Sequence, residues 1–192
     1  MASCGAIAAG ATYDCDAPVQ PGVNTRLVLF NYADIGTVTY DVSNDRLITN
    51  ITLSGSALAY AFEGYRQSVD PGCEFVAQSL SIGYDHYVNF QVFDISSTQK
   101  YNLEKMALGK MCAIVENRNA EGNADSVFEI FGLGAGMEVV TLTRINRDLD
   151  TAGSFSVGLK TSDAEGKEVT LPLSLWDTDY ATTKAIVDGL LT

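Results

Sequence analysis

The feature that most narrows the fold is strict alternation of apolar and polar residues. In residues 87–93, Val88, Phe90 and Val92 fall on one side of an extended chain, while Asn89 and Gln91 fall on the other. Residues 154–160 repeat the pattern with Phe155, Val157 and Leu159, and residues 169–173 carry it again with Val169, Leu171 and Leu173. A period of two buries one face of a strand and leaves the other wet, as in antiparallel sheets. Residues 25–30, 36–40 and 47–53 add segments rich in β-branched and aromatic side chains. The polar stretch 161–167, with Gly166 available for positive φ, reads as a hairpin loop, so the strands at 154–160 and 169–173 are expected to pair. Pro172 cannot donate to a ladder, which puts its strand at a sheet edge or turns its nitrogen outward.

Two segments have helical character. Asn102 can cap a short helix over residues 103–108 that Gly109 closes. Near the end, Asp177 or Thr178 can cap a helix at about 178–191, in which Tyr180, Thr183, Val187, Leu190 and Leu191 share one face suited to packing on a sheet. The expected fold is therefore mainly β: an antiparallel β-sandwich or β-barrel with a C-terminal α-helix packed on it. The 192 residues suit one domain. It is expected over residues 25–192, preceded by an extended arm at 1–24 built of Ala, Gly and small polar residues with Pro18 and Pro21. That start is apolar enough to suggest a signal peptide, but no Lys or Arg precedes Arg26, so the expectation is an arm and not an export signal.

Charge narrows the function classes. The 24 acidic residues outnumber the 12 basic ones for a formal net charge of −12, which disfavours nucleic acid as a bound ligand. With 46% hydrophobic and 19% charged residues the chain can build a core, and no run approaches the roughly 18 apolar residues of a membrane helix. Cys4, Cys15, Cys73 and Cys112 lack the short paired spacings of a zinc site and read as buried small hydrophobes, with Cys4 and Cys15 the pairing worth testing. No metal and no cofactor is expected.

Candidate catalytic groups are few. Gly132, Gly134 and Gly136 mimic a phosphate loop, but a strand-like run follows them instead of a helix, so they are expected to make a tight bend between strands. His86 is the single imidazole and reads as a loop histidine beside Asp85, with no serine elbow to serve. The acid pairs Asp14/Asp16, Asp148/Asp150 and Asp177/Asp179 suit turns and caps. No enzyme is expected. Residues 54–74 form a long loop or hairpin holding Tyr60, Phe62 and Tyr65 ahead of a turn at Asp70, Pro71 and Gly72. Those aromatics either join the core or anchor an interface.

From about Met111 onward the chain resembles virion proteins of tailed bacteriophages, in particular tail tube and related ring-forming tail proteins, including some from phages of Bacteroides-like hosts. Residues 127–137, 171–176 and 178–190 carry the likeness, which is one of overall style and not of a short motif. The resemblance implies hexameric rings whose β-hairpins join into a continuous inner barrel and stack into a tube, located in the virion and made in the host cytoplasm. Its partners would be copies of itself and other tail proteins, with DNA passing through unbound and no membrane involved. An acidic lumen would keep phosphates from gripping the wall. The candidate subunit interface is Tyr60, Phe62 and Tyr65, with Val19 and Val23 of the arm. A head-to-tail joining or completion ring is a near relation. The alternative class is a monomeric soluble β-barrel or sandwich that stacks a small ligand or carbohydrate on exposed aromatics.

Overall fold

The computed structural model describes residues 9–10, 22–65, 68–77, 82–118, 124–163 and 166–192. Eleven strands follow in order: β1 (Val23–Asn31), β2 (Ile35–Tyr40), β3 (Leu47–Leu53), β4 (Tyr60–Glu63), β5 (Val69–Ala77), β6 (Ile82–Val92), β7 (Met111–Asn117), β8 (Phe128–Phe131), β9 (Met137–Arg144), β10 (Phe155–Thr161) and β11 (Leu173–Leu175). Helix α1 (Ser97–Met106) lies between β6 and β7, and α2 (Tyr180–Gly189) ends the chain. The protein is thus mainly β with a C-terminal helix, as its alternation requires.

The strands form one branched, mixed sheet in the order β2-β3-β11-β8-β7-β9-β10-β6-β5, while β1 pairs with β7 and carries β4 on its far edge. Only β11 and β3 run parallel. The wall of the molecule is β1 with β7. Leu27 and Leu29 of β1 and Met111, Ala113 and Val115 of β7 face one core, shared with Val88, Phe90, Val157, Leu159 and Leu103 of α1. Their neighbours Val28, Phe30, Cys112 and Ile114 face a second core, shared with Ile48, Ile51, Ile130, Leu175 and Val187 of α2. A strand buried on both faces must be apolar throughout, which is why these two read as continuous hydrophobic runs.

Around the first core the sheet β7-β9-β10-β6-β5 curls until β5 lies against β1 again. Strands β8 and β9 both pair antiparallel to β7, in line with each other, through Phe131↔Ala113 and Met137↔Met111. The glycine bend is therefore an excursion within one strand line. Gly132 (φ +74°) and Gly136 (φ +75°) turn the chain out and back in the left-handed region, which glycine enters without steric cost.

Several expected boundaries move. The first described strand begins at Val23, inside the expected arm, and that side chain is buried in the first core. The stretch 54–74, expected as a long loop or hairpin, holds β4 and the first six residues of β5, and these two strands pair with β1 and β6 and not with each other. The expected turn at Asp70, Pro71 and Gly72 lies inside β5, which ends the sheet, and an edge strand tolerates a proline that cannot donate. Helix α1 begins at Ser97 and not at 103. Ser96 caps it by accepting from the Gln99 N–H at 3.2 Å, and Asn102 sits within it. Asp179, not Asp177 or Thr178, caps α2 by accepting from the Thr182 N–H at 2.7 Å. The expected hairpin between 154–160 and 169–173 does not form. β10 pairs with β9 and β6, whereas β11 sits between β3 and β8, so Pro172 merely precedes an internal strand.

Candidate functional site

Two places in this fold could carry function: a buried polar cluster under the glycine bend, and the outer surface of the curled sheet with its open edges.

The polar cluster begins with β6. Its alternation places Asp85 on the outer face and His86 on the inner one, and both are buried. His86 is not a loop residue. Its ring meets Phe131 edge-on at 5.7 Å, accepts the Gly132 N–H at Nδ1 (3.1 Å), and donates from Nε2 to the Thr170 carbonyl (2.9 Å). Those partners fix the neutral tautomer with its proton on Nε2. Burial holds this imidazole below its ordinary pKa, against the pull of the Glu168 carboxylate nearby.

Next to it, the Glu168 carboxylate accepts the N–H groups of Gly134 (3.0 and 3.1 Å) and Ala135 (2.8 Å). The glycine excursion does cradle an anion, but the anion is a side chain of the protein itself. Three bend carbonyls accept side-chain donors as well. Tyr32 Oη donates to Gly134, Lys110 Nζ to Ala135, and the Cys112 thiol to Gly132 at 3.1 Å. Burial drives the Cys112 thiol far above its ordinary pKa, which keeps it a donor and not a thiolate. Asp85 is held between Lys167 (2.6 Å) and Lys160 (2.9 Å), and Lys167 also pairs with Asp163. Burial opposes the charge on Asp85, yet the two lysines outweigh it and keep its carboxyl below the usual range.

A cleft of about 380 Å³ opens beside this cluster, lined by Tyr40, Arg46, His86, Leu133, Glu168 and Thr170. Both nitrogens of His86 are committed to backbone partners, so the ring offers no general base to that cleft. The chemistry of the cluster is structural: it fastens residues 166–172 and the glycine bend to β6. Among the described residues no group of three or more His, Cys, Asp or Glu is placed to hold a metal ion, and no helix is long and apolar enough to cross a membrane.

The second place is the outer face of β9-β10-β6-β5. The register lines up Asp70 with Asn89 and Gly158, Gly72 with Tyr87 and Lys160, and Gln91 with Ser156 and Thr143. A bulge at Val140 keeps Thr141 opposite Gly158. The face is mostly polar, with Asp70, Glu74, Asp85 and Glu138 as its carboxylates and Tyr87 as its large side chain. Lys160 is the one basic residue that the register places there, and it is tied to Asp85. Among the described residues, β5 at one end of the sheet order, β2 at the other and β4 beside β1 are each hydrogen-bonded to a strand on one side alone, with β5 packed against β1 on its other side.

The expected interface residues separate. Tyr60 and Tyr65 are exposed, at 61% and 64%. Phe62 turns inward and packs edge-on against Phe90 at 5.4 Å. Val23 is buried in the first core, which makes it a fold residue and not part of a docking surface. Val19 lies outside the described residues, as do Cys4, Cys15, Asp14 and Asp16. Asp148 and Asp177 accept from nearby N–H groups in turns, and Asp179 caps α2, as their spacing suggested. Tyr60 and Phe62 also line a cleft of about 560 Å³ between β4, the end of β6 and α1, together with Phe93 and Met106. The sequence did not signal the Glu168 cradle, since nothing in the spacing of residues 132–136 and 168 shows that they meet. No protein-family model matches the chain, and no curated protein or solved structure is significantly similar to it.

Proposed function

We propose that the protein is a structural subunit without a catalytic centre, which assembles with copies of itself into a ring or tube of the bacteriophage tail type. The observation that carries this reading is the pairing of two open sheet edges with a smooth, acidic outer face. Among the described residues, β2 and β5 have a strand partner on one side alone and lie at opposite ends of the sheet order, so a joint between them would be head-to-tail, the kind that closes into rings. The face between β9 and β5 presents Thr141, Thr143, Asn89, Gln91 and Ser156 with Asp70, Glu74 and Glu138, a wall to which phosphate finds few cationic contacts. Exposed Tyr60 and Tyr65 suit contacts between subunits or between rings. Static and dynamic light scattering on the purified chain tests the reading. A mass that is a multiple of 20.6 kDa and grows with concentration is expected, while a 20.6 kDa particle at every concentration would count against it.

The aromatic cleft beneath β4 supports a second reading, a monomeric domain that stacks a small ligand or sugar on Tyr60 and Phe93. That reading expects the monomer mass and a ligand whose affinity Tyr60→Ala reduces.

A further inference from the structure

Residues 166–172 are folded inside out. Beyond the end of β10 at Thr161, residues 166–172 run as a strap along the same edge of β6, where Tyr84 and Glu168 exchange backbone hydrogen bonds of 2.8 and 3.0 Å. The apolar residues of the strap face outward, Val169 at 85% and Leu171 at 54% exposure. Three polar pins hold it: Lys167 on Asp85 at the outer face of β6, and, toward the interior, Glu168 on the Gly134 and Ala135 N–H groups and the Thr170 carbonyl on His86 Nε2.

The third pin depends on a neutral imidazole. Because the Gly132 N–H donates to Nδ1 at 3.1 Å, a proton added at Nδ1 would set two N–H groups against each other and leave a buried donor unsatisfied. The charged and titratable groups around this ring are Glu168 and Lys167 of the strap, Asp85 and Tyr84 on its own strand, and Cys73 opposite it on β5. Cys112 of β7 reaches the same Gly132, and Tyr40, Asp45 and Arg46 face it across the cleft. Tyr32 and Lys110 sit behind the bend.

We propose that the strap is a pH-sensitive clasp: protonation of His86 drives its ring from between Gly132 and Thr170 and releases residues 166–172 from the edge of β6. Above the ordinary histidine pKa both open and closed forms are neutral and the clasp is at full strength. Below it the open form takes up a proton that the closed form resists, so each further pH unit raises the open fraction by up to about tenfold until the closed form titrates as well. The clasp belongs to the single chain and does not depend on assembly.

His86 is the sole histidine, so an imidazole NMR signal reports it alone. The test compares that titration with hydrogen exchange of peptides covering 166–172, corrected for the intrinsic pH dependence of exchange, between about pH 7.5 and about pH 5.5. Protection of the strap relative to β7 should be flat above the ordinary histidine pKa of about 6.5 and fall about tenfold by about pH 5.5, while the imidazole signal of the closed form titrates at lower pH. His86→Gln supplies a carbonyl for Gly132 and an amide for Thr170 without titrating, and should abolish that fall. A strap that opens equally in His86→Gln, or one that stays protected while His86 titrates, overturns the proposal. Should the variant fail to fold, the wild-type chain still decides: strap protection that starts to fall near the ordinary histidine pKa, above the imidazole midpoint, supports the clasp, and protection that stays flat relative to β7 down to about pH 5.5 overturns it.

Discussion

Strand β7 and the strap at 166–172 are both fixed to the interior, by opposite means. Met111 to Val115 are buried on both faces of β7 and touch two cores, so that strand is held by removal of apolar surface from water. The strap turns Val169 and Leu171 outward and is held by two carboxylates, a lysine and an imidazole. Apolar burial is indifferent to pH, whereas each pin of the strap carries a charge or can acquire one. The difference teaches that one chain can contain a rigid wall and a conditional fastening a few ångströms apart, and that the two respond to different variables.

The contrast can be broken or sharpened by substitution. Ile114→Ala removes a fully buried side chain from the wall and should cost about 2–5 kcal/mol in urea unfolding, with little dependence on pH or salt. Lys167→Met leaves buried Asp85 with only Lys160, and should cost about 1–3 kcal/mol. Its cost should shrink below about pH 4, because a carboxyl whose folded pKa is depressed gives stability that is present above its unfolded value and lost as pH falls through the folded one. A pH-independent cost for Lys167→Met would show that the lysine acts by packing alone. Ser96→Ala deletes the cap of α1 and should cost about 1 kcal/mol in thermal melts, an effect that belongs to neither region. Val169→Ser replaces an outward residue of the strap and should change the stability of the single chain by less than about 0.5 kcal/mol, where the same loss at an inward position would be severe.

The legibility of the sequence followed the same divide. Alternation in 87–93 and 154–160 identified β6 and β10 and the inward residues Val88, Phe90, Val157 and Leu159, because burial on one face leaves a period of two. In residues 169–173 the same alternation misled. The groups turned inward there are the Glu168 carboxylate just before that stretch and the Thr170 backbone carbonyl, which are satisfied by N–H groups and an imidazole that lie far away in sequence. Periodicity reports how a chain is extended, and it does not report which face finds partners. Pro71 misled for a related reason, since an edge position inside β5 and a turn both accommodate a residue without an N–H. The glycine bend was readable as a bend, but an anion there was set aside because a strand and not a helix follows it. That the anion is Glu168 required the fold.

Electron cryomicroscopy of the purified chain at high concentration tests the proposed assembly most directly. Closed rings or stacked tubes are the expected result, with β5 of one copy laid along β2 of the next and Thr141, Asn89 and Glu74 facing the bore. Isolated single chains at all concentrations, or a ring whose bore is faced by α2 or by the basic residues Arg26 and Lys184, would contradict it.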